Sequence, residues 1–230
     1  MAAAGLFLVA GGGTPTLAVF HKYTPATRSF AVQQSSITGA VADIDFTATD
    51  TVNGVAATNG VTRTPFGRVF TTANGGTTWS DAGFAAPANV VTYFGAARRA
   101  SGDLFITGGN GYAIRIHPSG TVDTLVKGAV SSIDSTRFAA LIYTDVEFAP
   151  DNDQKGWLIG ARQTGVVSGV PQFEGLVFQT TDGGATWVRQ GVRGAPNNGE
   201  TFPRLNRISI FDQNHVWIVG DGGAVLQYQP

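Results

Sequence analysis

No cysteine occurs anywhere in the chain, so disulfides, thiolate catalysis and cysteine-based zinc sites are all excluded. Charge is scarce as well. Asp, Glu, Lys and Arg make up 13% of the residues, about half the usual share of roughly 25%. The formal net charge of -1 gives no overall pull toward nucleic acid, and no nucleic-acid partner is expected. No apolar run approaches the length that spans a bilayer, so no membrane insertion is expected. The three histidines, His21, His117 and His215, are scattered and form no ligand-spaced pair. Neither a metal nor a cofactor is expected. The stretch Met1–Ala10 carries no Lys or Arg before its apolar part and soon meets Gly11-Gly12-Gly13, which does not fit a secretory leader. A cytoplasmic or virion-associated location is therefore expected over a secreted one. A surface poor in charge also suits burial in a larger assembly, because interface cores are depleted in charge.

What the chain does have is an eight-residue phrase used twice. Thr72-Ala73-Asn74-Gly75-Gly76-Thr77-Thr78-Trp79 reappears as Thr180-Thr181-Asp182-Gly183-Gly184-Ala185-Thr186-Trp187. Each copy follows a Val-Phe strand end, at Val69-Phe70 and Val177-Phe178. The third residue, Asn74 or Asp182, can accept N–H groups of its own turn. Gly76 and Gly184 permit positive φ. The tryptophan, Trp79 or Trp187, would pack on the sheet, and Thr72 or Thr180 would bond locally. The phrase holds no nucleophile and no base, so it reads as a hairpin lock.

A second element recurs around it. An apolar strand runs into a Gly-rich turn and a further strand, as in Val216-Trp217-Ile218-Val219-Gly220-Asp221-Gly222-Gly223-Ala224-Val225-Leu226 and Leu104-Phe105-Ile106-Thr107-Gly108-Gly109-Asn110-Gly111-Tyr112-Ala113-Ile114. These apolar strands start near 6, 54, 104, 157 and 216. Three of them follow another short strand: Ile44-Asp45-Phe46, Val146-Glu147-Phe148 and Ile208-Ser209-Ile210. A period of about 50 residues with four short strands is the spacing of one propeller blade. The fold expected is all-β, a single propeller of about five blades over 1–230, with approximate repeats 1–41, 42–89, 90–142, 143–204 and 205–230. The first repeat lacks its first strand and the last stops after its third. One candidate helix lies around Ser131–Leu141.

The repeated phrase resembles the Asp-box, or bacterial neuraminidase repeat, of β-propellers. The longer pattern of Gly156-Trp157-Leu158-Ile159-Gly160, Gly220-Asp221-Gly222-Gly223-Ala224-Val225-Leu226 and Thr181-Asp182-Gly183-Gly184-Ala185-Thr186-Trp187 is similar to the photosystem II assembly-factor propellers of plants and cyanobacteria and their bacterial relatives. The likeness runs over most of residues 42–230, with Asn74 departing from the usual Asp. It implies a propeller whose Asp-box hairpins, built on Thr72, Asn74, Gly76 and Trp79 and on Thr180, Asp182, Gly184 and Trp187, sit on the blade rim away from ligand sites. No photosynthetic role is carried over, because those relatives are longer and their arginine patch has no counterpart identified here.

Catalytic readings fail on residue type. A sialidase needs three arginines on a carboxylate, a Tyr–Glu nucleophile pair and an acid, and Phe202-Pro203-Arg204-Leu205 offers the wrong order. Asp151-Asn152-Asp153 opens like a calcium loop but lacks the closing Glu. Gly108-Gly109-Asn110-Gly111 and Gly220-Asp221-Gly222-Gly223 join strand to strand, which suits hairpins and not phosphate loops. Arg98-Arg99 reads as solvated turn charge. No enzyme is expected. In a propeller the long segments Thr58–Phe66, Lys127–Tyr143, Ala161–Phe173 and Gly191–Arg207 would share one face. They carry Arg63, Arg137, Arg162, Arg193, Glu200, Arg204 and Arg207. Long loops are often functional, and these either cover their neighbours or meet a partner. The expected function is a non-catalytic scaffold that presents loops to a protein or glycan. The alternatives are a structural component of a large assembly such as a virus particle, and a sialidase-like glycoside hydrolase.

Overall fold

The runs Leu104-Phe105-Ile106 and Trp157-Leu158-Ile159 are apolar on both faces of their strands, because each lies in a sheet packed between two others. The computed structural model describes residues 8–12, 18–24, 26–32, 39–47, 49–59, 67–85, 92–126, 141–191 and 203–230. Their strands form five antiparallel sheets. The first holds β1 (Leu8–Gly12), β2 (Ala18–Thr24) and β3 (Ser29–Val32). The second holds β4 (Ala40–Phe46), β5 (Gly54–Asn59), β6 (Arg68–Thr72) and β7 (Ser80–Ala85). The third holds β8 (Tyr93–Arg98), β9 (Leu104–Gly108), β10 (Ala113–Ile116) and β11 (Val122–Thr124). The fourth holds β12 (Leu141–Ala149), β13 (Asn152–Val167), β14 (Val170–Thr180) and β15 (Val188–Arg189). The fifth holds β16 (Leu205–Asp212), β17 (His215–Gly220) and β18 (Val225–Gln227). The first strands touch in the order β1, β4, β8, β12, β16. The architecture is an all-β propeller.

The cores show why the strands are composed as they are. Side chains alternate across a strand, so each sheet feeds two cores. In β9, Leu104 and Ile106 join Val55, Ala57 and Val69 of the second sheet. Phe105, between them, packs with Tyr143, Val146, Leu158 and Phe178 of the fourth. In β13, Leu158 faces the third sheet, while Trp157 and Ile159 meet Leu205, Ile208, Val216 and Ile218 of the fifth. The fifth sheet has only one covered face. Val216 and Ile218 are buried, whereas Trp217, Val219, Phe211 and Val225 are exposed.

Four first strands carry a register shift at the same place: Val41/Asp43, Tyr93/Gly95, Tyr143/Asp145 and Leu205/Arg207. A bulge bends its strand and re-aims the next side chain. The residues after it, Asp43, Gly95, Asp145 and Arg207, therefore occupy equivalent positions. The next residue, Ala96, Val146 or Ile208, turns back toward the preceding sheet and its core, and Ile44 packs with Ala56, Phe70 and Trp79 of its own sheet. At Gly95 a Cβ would lie 2.9 Å from the Asp145 Cα, so the close approach of β12 requires glycine there.

Two sequence expectations change. Ala161–Phe173 is no loop: β13 and β14 continue as a hairpin to a turn at Ser168-Gly169, pairing Gln163 with Phe173 and Val167 with Val170. Ser168 and Gly169 both have positive φ, at 51° and 81°, the conformation of a type I′ turn. Thr164, Val166, Val167 and Val170 supply the β-branched residues that extend the arm. Arg98-Arg99 is not solvated as a pair either. Arg99 is buried and donates from Nε to the Asp153 carbonyl and from Nη1 to the Gly183 carbonyl, both at 2.9 Å. It ties the third sheet to the fourth. The region expected to be helical lies outside the described residues except for Leu141, which opens β12.

Candidate functional site: the axial carboxylates

Two features are candidates from sequence, the repeated turn and the arginine-bearing face. In the fourth sheet the Thr180 hydroxyl donates to Asp182 Oδ1 at 2.8 Å and accepts the N–H of Asp182 at 3.3 Å and of Gly184 at 2.8 Å. Asp182 in turn accepts the Thr186 N–H at 2.9 Å and the Thr186 hydroxyl at 2.6 Å. Slight desolvation opposes ionisation of Asp182, but the bonds from Thr186 and Thr180 outweigh it and hold the carboxyl at about 2. Trp187 packs edge-on against Phe105 and Phe148. In the second sheet Thr72, Asn74, Gly76 and Thr78 repeat the same bonds. Trp79 is buried beside Phe46. Both side chains, Asn74 and Asp182, serve their own turns. Thr180→Val leaves the Gly184 N–H without its acceptor in a buried site, and is expected to cost about 2 kcal/mol. The readout is a lower urea midpoint with an unchanged slope.

Of the face residues, Arg63, Arg137, Arg193 and Glu200 lie outside the described residues. Arg162 pairs with Glu174 at the base of the β13–β14 arm. Arg204 lays its guanidinium over the Phe94 ring at 5.8 Å. Arg207 is drawn to the axis. Its guanidinium donates to Asp43 Oδ2 at 3.4 Å and to the carbonyls of Ala42 and Phe94 at 3.3 and 3.5 Å, and lies 3.7 Å from Asp145 Oδ1.

Around Arg207 the structure assembles a group that sequence reading missed. Asp43 and Asp45 on β4 and Asp145 and Glu147 on β12 share one side of their strands, being two residues apart. Three of the four are spent on the backbone. Asp43 accepts the N–H of Ile44 and of Ala96, each at 3.0 Å. Asp45 Oδ2 accepts the Arg98 N–H at 2.7 Å. Asp145 accepts the N–H of Val146 at 2.9 Å and of Ile208 at 2.8 Å. Ala96, Arg98 and Ile208 each belong to the following sheet, so these carboxylates join sheets. Glu147 differs: among the described residues it makes no hydrogen bond or ion pair.

Crowding raises all four. Burial pushes Asp43 up. Burial, helped by the charge on Asp43, lifts Asp45 to about 6 and Asp145 to about 7. Burial together with Asp145, Asp45 and Asp43 lifts Glu147 to about 9. A cavity of about 240 Å³ lies beside Asp45 and Glu147, walled also by Phe46, Thr47, Arg98 and Phe148. It sits where the first strands end, at Phe46, Arg98 and Ala149. Arg162 and Arg204 stand at the other strand ends, beside Leu141 and Leu205. The sequence signal is present as Asp43-Ile44-Asp45-Phe46 and Asp145-Val146-Glu147-Phe148, alternating acids in strands of equal rank.

No protein-family model matches the chain. Over 86 residues it is 30% identical to the photosystem II stability/assembly factor HCF136 of Arabidopsis thaliana, covering 37% of this chain and 18% of that protein. Among solved structures it is similar to an ancestral GH74 enzyme, at 15% identity and a TM-score of 0.61 over 94% of this chain and 29% of that one. It is similar as well to a gluconolactonase of Xanthomonas campestris, at 12% identity and a TM-score of 0.56 over 100% of this chain and 74% of that one. The sequence relationship is distant and covers under a fifth of the assembly factor. The structural likenesses, which include enzymes, show the propeller fold alone.

Proposed function

We propose that the chain is a five-bladed propeller module, locked by Asp-box hairpins, that binds a protein partner and catalyses no reaction. The observation that carries this is the use made of the axial acids. A glycosidase needs two carboxyl groups free to face a substrate. Among the described axial acids, Asp43, Asp45 and Asp145 accept main-chain N–H groups of the next sheet, which leaves Glu147 as the one unengaged carboxyl of that group. The choice of a protein partner is supported by the sequence match to an assembly factor. The arm of β13 and β14 favours the same reading, since it carries exposed Val166, Val167 and Val170 at its tip.

The axial acids also give the enzyme reading its best support, so the test addresses both. Xyloglucan oligosaccharides, glucono-1,5-lactone and a fluorogenic sialoside are incubated with the protein. No turnover above the protein-free rate is expected, and turnover that Glu147→Gln abolishes overturns the proposal. A photo-crosslinking residue is then placed at Gln163 on the arm and, as control, at Val122 on the rim. One discrete protein adduct from Gln163 and none from Val122 is the expected outcome. Equal yields from both positions count against a partner on the arm face.

A further inference from the structure

Among the described residues the axis is built in two layers, and one of them contains a cation. The layer after the bulges holds Asp43, Gly95, Asp145 and Arg207, and there the Arg207 guanidinium lies against both carboxylates. Two residues further along each strand, on the same side, stand Asp45, Ala97, Glu147 and Ser209. This second layer has two acids and, at the position equivalent to Arg207, a serine. Asp45 still bonds the next strand through Arg98 N–H. Glu147, one methylene longer, makes no such bond. The 240 Å³ cavity adjoins this second layer. On its wall the Thr47 hydroxyl oxygen is buried and has no hydrogen-bond partner. The arginines beside it are already held: Arg98 lies 3.4 Å from Asp50, and Arg99 is turned to Asp153 and Gly183.

We propose that this cavity binds an organic cation, an ammonium or guanidinium group received by Glu147 and Asp45 as Arg207 is received by Asp43 and Asp145. The volume suits the end of one basic side chain or a small amine. Phe46 and Phe148 supply apolar walls for the methylene stem. The site lies at the opposite strand ends from Arg162 and Arg204, so it holds whether or not the arm face binds a protein.

The test is calorimetry on the full chain with acetyl-Gly-Arg-Gly-amide, its neutral citrulline counterpart, and agmatine. The arginine peptide is expected to bind at least tenfold more tightly than the citrulline peptide. Glu147→Gln should weaken it at least tenfold. Ser209→Arg should place a guanidinium in the second layer from within and block binding. The charged groups around Glu147 are Asp145, Asp45, Asp43 and Arg207, with Arg98, Arg99 and Asp153 on the same cavity wall, and burial together with the three acids keeps its carboxyl protonated at neutral pH. Binding at pH 7.5 should therefore release close to one proton, seen as different heats in Tris and phosphate, and Glu147→Gln should release none. Agmatine matching the arginine peptide makes a free amine the source, and a peptide preference makes it a partner's basic side chain. Absence of binding, equal affinity for citrulline, or unchanged affinity in both variants overturns the proposal.

Discussion

Asp145→Ala is expected to destabilise the protein by roughly 3–5 kcal/mol, the range for leaving buried charged and polar partners uncompensated. Asp145 is 2% exposed. Its two oxygens accept the N–H of its own strand neighbour Val146 and of Ile208 in the fifth sheet. Alanine leaves both amides without an acceptor in a buried site. It also removes one of the two carboxylates beside Arg207. The fifth sheet has one covered face and three strands, so its contacts with the fourth are its main anchorage. They include Thr144, whose hydroxyl donates to the Leu205 carbonyl at 2.7 Å. Loss of Asp145 should free this sheet first, and hydrogen exchange should rise in β16 to β18 before the core of β9 and β13. Asp145→Asn keeps one acceptor oxygen and should fall between alanine and wild type. An alanine variant within 1 kcal/mol of wild type by urea unfolding, about the cost of an ordinary surface contact, would show that the carboxylate does not hold the sheets together.

The sequence is most readable where one residue's role depends on its nearest neighbours. The turn phrase is such a case, since Thr180, Asp182, Gly184 and Thr186 bond one another within seven positions. The apolar second strands are another. Leu104–Gly108 is buried throughout, and the apolar run Leu104-Phe105-Ile106, with turns on either side of its strand, reads as a strand covered on both faces. The axial acids are hidden for the opposite reason. In Asp43-Ile44-Asp45-Phe46 an alternation of acid and apolar looks like a strand with one wet face. Only the placement of four sheets about an axis turns that face inward. Arg99 is misleading on similar grounds. Its carbonyl partners, Asp153 and Gly183, lie 54 and 84 residues away, and nothing local announces them. The β13–β14 arm looks like a loop because Gly165, Ser168-Gly169 and Pro171 break its alternation. Cross-strand pairing, which a single strand does not reveal, overrides those breaks.

Stability should fall as pH rises from about 5 to above 9, the reverse of what salt-bridged carboxylates give. Asp45, Asp145 and Glu147 have folded-state values of about 6, 7 and 9, against unfolded values of 3.8 for Asp and 4.5 for Glu. The folded protein thus holds these protons more tightly than the unfolded chain. Wherever the native state binds more protons, raising pH destabilises it. The contribution is complete below pH 4 and is lost stepwise through 6, 7 and 9. Working against it at the acid end, the turn carboxylate of Asp182, at about 2, and the lowered carboxyls of Asp50, Asp103, Glu174 and Asp212 lose stability as pH drops below their unfolded values. The optimum should therefore lie near pH 5, at about the crossing of the two sets. Glu147→Gln isolates the last step. Glutamine mimics the protonated acid, so the variant should match wild type at pH 5. By pH 9.5 it should exceed it by on the order of 3 kcal/mol, given about 1.4 kcal/mol for each tenfold difference in proton affinity and partial relaxation of the ionised site. Urea unfolding at pH 5, 7 and 9.5 measures both curves. A wild-type profile flat from pH 5 to 9.5, or a glutamine variant that falls as steeply as wild type above pH 8, would mean that Glu147 is solvated and the axis is not the acidic, low-dielectric site its geometry implies.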